Sequence, residues 1–127
     1  MNEAVLELAA PSEAGATSAL GAYAQLVAHA YGDRLIGLYL FGSRARGDHR
    51  PDSDADVAVV LSGLDGGALA EKMRLVDLGF DALTDAGLMI QPWPFTRSEW
   101  ETALPSGRFA GLLASARRDA KPLSRPQ

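Results

Sequence analysis

The sequence predicts an α/β protein with a small mixed β-sheet flanked by helices. Two observations carry that prediction. Two long stretches repeat apolar residues at helical spacing, and three short apolar runs have the length of buried strands. The order along the chain is helix, strand, strand, helix, strand, helix, which places helices on at least one face of the sheet.

The first helix is expected over about residues 17–31. Leu20, Tyr23, Val27, Ala30 and Tyr31 fall on one face, and Gly32 offers a stop. Pro11 and Gly15 lie before that stripe, so residues 1–15 are expected to be loosely ordered. The apolar run from Leu35 to Phe41 reads as a buried strand, and so does the run from Ala55 to Leu61. Residues 42–54 between them read as a polar loop. Gly63, Gly66 and Gly67 mark a turn, and one long helix is expected over residues 68–86 with Leu69, Met73, Val76, Phe80 and Leu83 as its stripe. Gly87 ends it, and Leu88-Met89-Ile90-Gln91 begins a third strand. Pro92 and Pro94 limit that strand to an edge or to an early end. Thr96-Arg97-Ser98-Glu99 has the pattern of a capping box. Phe109, Leu112, Leu113 and Ala116 suggest a last helix, and the basic, proline-containing tail from Arg117 reads as a frayed end.

The 127 residues suggest a single domain with its core over about 17–118. With 47% hydrophobic and 22% charged residues the composition is that of an ordinary globular chain. There is no cysteine, which excludes disulfides and thiolate metal sites. A net charge of −4 gives no reason to expect direct nucleic-acid binding. The first ten residues carry Glu3 and Glu7 instead of the basic start of a secretory signal, and no apolar run is long enough to span a bilayer. These features predict a cytoplasmic protein with no membrane association.

The stretch from Phe41 to Val57 carries the chemistry. Gly42 lets backbone approach a ligand because no Cβ intervenes. Ser43 offers a hydroxyl and an N–H to a phosphate oxygen. Arg44, Arg46 and Arg50 add cationic donors in the same loop. Asp54 and Asp56 stand two residues apart at the head of the second strand, so strand periodicity turns both carboxylates to one face, opposite Ala55, Val57 and Val59. Two like charges so placed repel, and a bound divalent cation relieves them; Mg²⁺ favours one or two carboxylates together with phosphate oxygens. Such a site would hold a nucleoside triphosphate and align an incoming hydroxyl.

An isolated Asp-x-Asp is usually a solvated strand end, and a lone Gly-Ser turn says less. It is their joint spacing between two buried strands that favours function. Other residues have plainer readings. His49 is a loop histidine that could touch phosphate, and His29 is partly buried filler on the first helix. Arg44 and Arg46 could clamp phosphates or pair with Asp48 and Asp52. Asp52 closes the turn after Pro51. Trp93 and Trp100 are core residues by default, with an interface as the alternative. Arg117, Arg118, Lys121 and Arg125 form a solvated basic tail.

Gly42-Ser43, ten intervening residues, then Asp54-x-Asp56 resembles the signature of the DNA polymerase β-like nucleotidyltransferase superfamily. The fuller string, Gly42-Ser43-Arg44-Ala45-Arg46-Gly47 followed by Ser53-Asp54-Ala55-Asp56, resembles the minimal nucleotidyltransferases, the MNT antitoxins of HEPN/MNT toxin–antitoxin modules. The stretch from Ile90 to Phe95 and Ser98-Glu99-Trp100 are similar to that group as well. The resemblance implies a nucleotidyltransferase fold, with ATP as substrate and Mg²⁺ as cofactor. It implies transfer of AMP to a tyrosine of a partner HEPN ribonuclease toxin. In that reading Asp54 and Asp56 ligate the metal and, with Ser43, are catalytic, while Gly42, Ser43, Arg44 and Arg46 hold the nucleotide. One departure stands out: many members carry a third carboxylate on a later strand, and here Gln91 stands at the equivalent place. That motivates, as the alternative, an antitoxin acting by complex formation alone; a small-molecule nucleotidyltransferase is a further alternative, ranked third because 127 residues leave little room for an acceptor-binding domain.

Overall fold

In the computed structural model the described residues are 9–102 and 109–123. Most of the expected loose start, residues 1–8, lies outside them, as does Arg125 of the basic tail. Helix α1 runs Glu13–Tyr31 and a 3₁₀ turn, Gly32–Arg34, leads into β1, Leu35–Phe41. A single helical turn, α2, covers Ser43–Arg46, and β2 spans Ala55–Leu61. Then come α3 (Ala68–Leu78), α4 (Phe80–Ala86), β3 (Ile90–Thr96), α5 (Arg97–Thr102), α6 (Ala110–Asp119) and β4 (Lys121–Pro122).

The sheet is mixed, in the order β3-β2-β1-β4. Strands β1 and β2 are antiparallel, whereas β2 and β3 are parallel and pair from Ala55↔Ile90 to Leu61↔Thr96. Alternation along β2 separates two apolar layers. Ala55, Val57, Val59 and Leu61 pack with α1, Leu75, Ala82 and Ile90, while Ala58 packs on the other face with Phe41, Phe95, Leu113 and Ala116. Asp56 belongs by alternation to the second face, at its open end.

Several boundaries depart from expectation. Helix α1 starts before its stripe because Ser12 caps it, its hydroxyl oxygen accepting Gly15 N–H at 2.9 Å. That cap offsets the helix cost of Gly15. The long helix divides at Gly79, whose N–H turns to Val76 O at 2.9 Å. The stripe assigned to it lies outward: Leu69, Met73, Val76 and Phe80 are exposed, and the inner face is Glu71, Leu75 and Ala82. Periodicity alone cannot choose between two apolar stripes when one inner position is a carboxylate.

Strand β3 is an edge strand, as the prolines require, but it runs through both. Pro92 and Pro94 occupy alternate positions whose peptides face away from β2, so no ladder bond is lost. Thr96 and Glu99 form the expected capping box, with Glu99 N–H donating to Thr96 Oγ1 at 3.0 Å and Thr96 N–H to Glu99 Oε1 at 2.9 Å. The basic tail does not fray where it is described. Arg117 and Arg118 complete α6, and β4 pairs with Tyr39 and Leu40, covering the free edge of β1.

Candidate functional site

The register of β1 on β2 sets the site. Phe41 lies opposite Asp56, so the chain leaving β1 turns directly beside that carboxyl. At Gly42 the backbone takes φ 76°, and a Cβ built there would stand 2.6 Å from Asp56 Oδ2. Glycine is therefore required twice, by conformation and by the carboxylate pressed against it. Ser43 follows as the first residue of α2, whose opening N–H groups have no intrahelical acceptor. Gly47, at φ 86°, closes the turn with its N–H on Ser43 O at 2.9 Å.

The loop returning to β2 is fixed by its own side chains. Arg44 donates from Nε to Ser53 O at 2.9 Å and from Nη2 to Pro51 O at 3.0 Å. Ser53 closes the 50–53 turn, accepting Arg50 N–H on Oγ at 2.9 Å. Asp52, expected to close that turn, instead sits exposed, 3.8 Å from Arg50. Serine's short hydroxyl reaches back to the backbone while the aspartate stays hydrated. Arg46 binds Asp48 at 3.1 Å and Asp119 of α6 at 2.8 Å. His49 Nε2 lies 2.8 Å from Glu13 Oε2, which ties the loop to the start of α1.

Asp54 is exposed at the mouth and Asp56 is half-buried behind it. Burial raises the Asp56 pKa and the Asp54 charge raises it further, whereas the Trp93 N–H, Lys72 and Arg46 oppose them. Two hard oxygen donors that repel each other beside an open turn fit a divalent ion completed by phosphate oxygens and water. Among the described residues no group of three or more His, Cys, Asp or Glu gathers. The register puts Gln91 opposite Asp56, so a neutral amide stands beside it on β3. Glu99 is engaged in its capping box.

Sequence reasoning missed Lys72. It leaves α3, passes over the β3 edge and donates to Pro92 O at 2.5 Å, with Nζ 3.8 Å from the centre of the Trp93 ring. Burial lowers its pKa and Asp56 partly restores it. A lysine on a helix reads as a solvated residue, and only the packing of α3 on β3 brings it here. Trp93 and Trp100, expected in the core, are both half-buried against the second apolar layer; the register sets Trp93 one pair along from Asp56, and Trp100 stacks on Tyr39 at 4.9 Å. A groove of about 470 Å³ elsewhere, lined by Ala24, Leu35, Ile36 and Pro122, holds no carboxylate and lies away from this chemistry.

The sequence pattern of a nucleotidyltransferase domain family matches residues 25–101, a span that includes Gly42, Ser43, Asp54, Asp56, Lys72 and Trp93. No curated protein matches the sequence. Among solved structures, the chain is similar to a candidate nucleotidyltransferase from Sulfolobus solfataricus, with TM-score 0.53 and 24% identity, over 67% of this chain and 70% of that one. It is also similar to a chain of a toxin–antitoxin complex crystallised with AMP-PNP, with TM-score 0.55 and 18% identity, over 84% of this chain and 74% of that one. Those identities bear on fold.

Proposed function

The chain belongs to the nucleotidyltransferase domain family, and on that premise we propose that it is a minimal nucleotidyltransferase antitoxin. In this reading it transfers AMP from ATP to a tyrosine of a partner HEPN ribonuclease toxin. The observation that carries the nucleotide reading is the contact of Asp56 with the Gly42 turn, with Asp54 beside it. The toxin–antitoxin likeness and the motif string support the choice of partner. The whole chain would act as one cytoplasmic domain; among the described residues no helix is long and apolar enough to cross a membrane.

The roles follow from placement. Asp54 and Asp56 hold Mg²⁺, which when bound neutralises phosphate charge and polarises the α-phosphate. Gly42 lets the triphosphate approach the backbone, and Ser43 donates its N–H and hydroxyl to phosphate oxygens. Arg46 contributes positive potential toward Asp56. Arg44 acts on the nucleotide chiefly by holding the returning loop in place. The acceptor hydroxyl oxygen attacks the α-phosphorus and gives its proton up to solvent, the bond to the β-phosphate bridging oxygen breaks, and pyrophosphate leaves. Intact-mass spectrometry of the partner after incubation with Mg²⁺ and ATP should show added AMP; an unchanged mass overturns the reading. Asp54→Ala should abolish the addition while leaving the circular dichroism spectrum intact.

Gln91 opposite Asp56 favours a second reading, neutralisation by complex formation without transfer. In that case Asp54→Asn would still protect cells from the toxin, and loss of protection would exclude it.

A further inference from the structure

We propose that Trp93 and Lys72 are positioning residues for Asp56: the indole N–H holds one carboxylate oxygen while the other takes up a divalent cation, and Lys72 holds the indole in place. This rests on the nucleotidyltransfer reading above. Parallel pairing sets Asp56 opposite Gln91 and Ala58 opposite Trp93, so Trp93 is one pair along from Asp56 on the same face. Among the described residues its Nε1 is buried and closes no hydrogen bond. The register makes it a diagonal neighbour of Asp56 on that face, within reach of a side chain as large as an indole. A small shift of the carboxylate toward a metal would bring acceptor and donor together and end the cost of a buried, unpaired N–H.

The ring is held ready on two sides. Lys72 Nζ sits 3.8 Å above its centre and is itself anchored on Pro92 O at 2.5 Å. Phe109 meets the ring edge-on, with centroids 5.9 Å apart. The anchoring carbonyl is available because Pro92 directs its peptide out of the ladder. Over the Trp93 ring, Lys72 also places a positive charge on the side of Asp56 where the neighbouring strand supplies only neutral Gln91. A hydrogen bond to the non-ligating oxygen orients a metal-binding carboxylate, and losing such a partner commonly lowers metal affinity about 10–100-fold.

The test is calorimetric binding of AMP-PNP with and without Mn²⁺. Wild type should bind with Mn²⁺; if it does not, the nucleotide reading itself fails. Given wild-type binding, Trp93→Phe should weaken the Mn²⁺-dependent component about 10–100-fold and leave metal-free binding unchanged, and Lys72→Gln should weaken the Mn²⁺-dependent component by a similar factor. Lys72→Arg should restore it, since a guanidinium also stacks on an indole face. Affinity of Trp93→Phe within twofold of wild type overturns the inference. In Trp100→Phe protein, Trp93 is the single tryptophan and can be read without altering it. Its emission should shift when Mn²⁺ joins AMP-PNP and stay fixed with AMP-PNP alone; an unchanged spectrum with both overturns the inference.

Discussion

Asp56 is a charge that the fold holds against its own solvation. Burial is the largest cause of its raised pKa, followed among the destabilising causes by Asp54. A carboxyl whose pKa is higher in the folded state destabilises that state at neutral pH and does so less as pH falls through the raised value. Asp56→Asn should therefore melt at higher temperature than wild type at pH 7. The same change should abolish AMP transfer. Mg²⁺ with nucleotide should raise the wild-type melting temperature and leave the variant's unchanged; a lower melting temperature for the variant would contradict the assignment. The meeting of the Gly42 turn with Asp56 was legible in the sequence because each residue type answers a local need: close backbone approach at the glycine, paired charge at Asp54 and Asp56. The neighbours were less legible. Arg44 looks like a phosphate clamp by position, yet it serves the carbonyls of Pro51 and Ser53. Lys72 and Trp93 meet Asp56 only through strand register and helix packing, which residue spacing does not encode.

At the scale of elements, the helices after β2 show where periodicity runs out. Leu69, Met73, Val76 and Phe80 form an unbroken stripe, and they face solvent. The face that packs holds Leu75 and Glu71, the latter acceptable there because Tyr31, Arg34, Arg74 and the Asp65 N–H surround its carboxylate. A charge paired in three dimensions looks like a surface residue in one. Chemical denaturation separates the two faces. Leu75→Ala should cost about 2–5 kcal/mol, while Leu69→Gln and Met73→Gln should each change stability by no more than about 0.5 kcal/mol. Large losses at Leu69 or Met73 would mean that α3 is rotated from the orientation described. The capping box and the proline edge strand were readable because their rules are local. The start of α1 was missed since one Ser12 hydrogen bond outweighs a glycine, and β4 was missed since a two-residue strand forms only where another strand offers an open edge.

Across the whole molecule the sheet separates two apolar layers, and the site opens at the end of one of them. Glu71 connects the other layer to itself. Its carboxylate takes the Tyr31 hydroxyl of α1 at 2.9 Å, the Asp65 N–H at 2.8 Å, Arg74 of α3 at 3.0 Å, and Arg34 of the 3₁₀ turn. Burial alone would push its pKa up, but these donors prevail and bring it from 4.5 down to about 2. A depressed carboxylate contributes stability that is complete above the unfolded value and is lost as pH falls toward the folded one. The shift corresponds to about 3 kcal/mol, of which about 2 should be gone by pH 3. This is an upper figure, because Arg34 and Arg74 remain 38% and 48% exposed and so partly hydrated. Urea titrations of wild type and Glu71→Gln, run at pH 6 and pH 3, isolate the contribution. The gap between the two proteins should be wide at pH 6 and should narrow by about 2 kcal/mol at pH 3. A gap that stays constant would mean that Glu71 holds the fold by shape and not by charge. Lys72 is the next residue along α3, so the network that ties this helix to α1 and the 3₁₀ turn also sets where that ammonium stands beside the Trp93 ring. Acid that loosens Glu71 should thus disturb the Lys72–Trp93 stack before the protein unfolds, visible as a change in tryptophan emission that precedes the loss of helical circular dichroism.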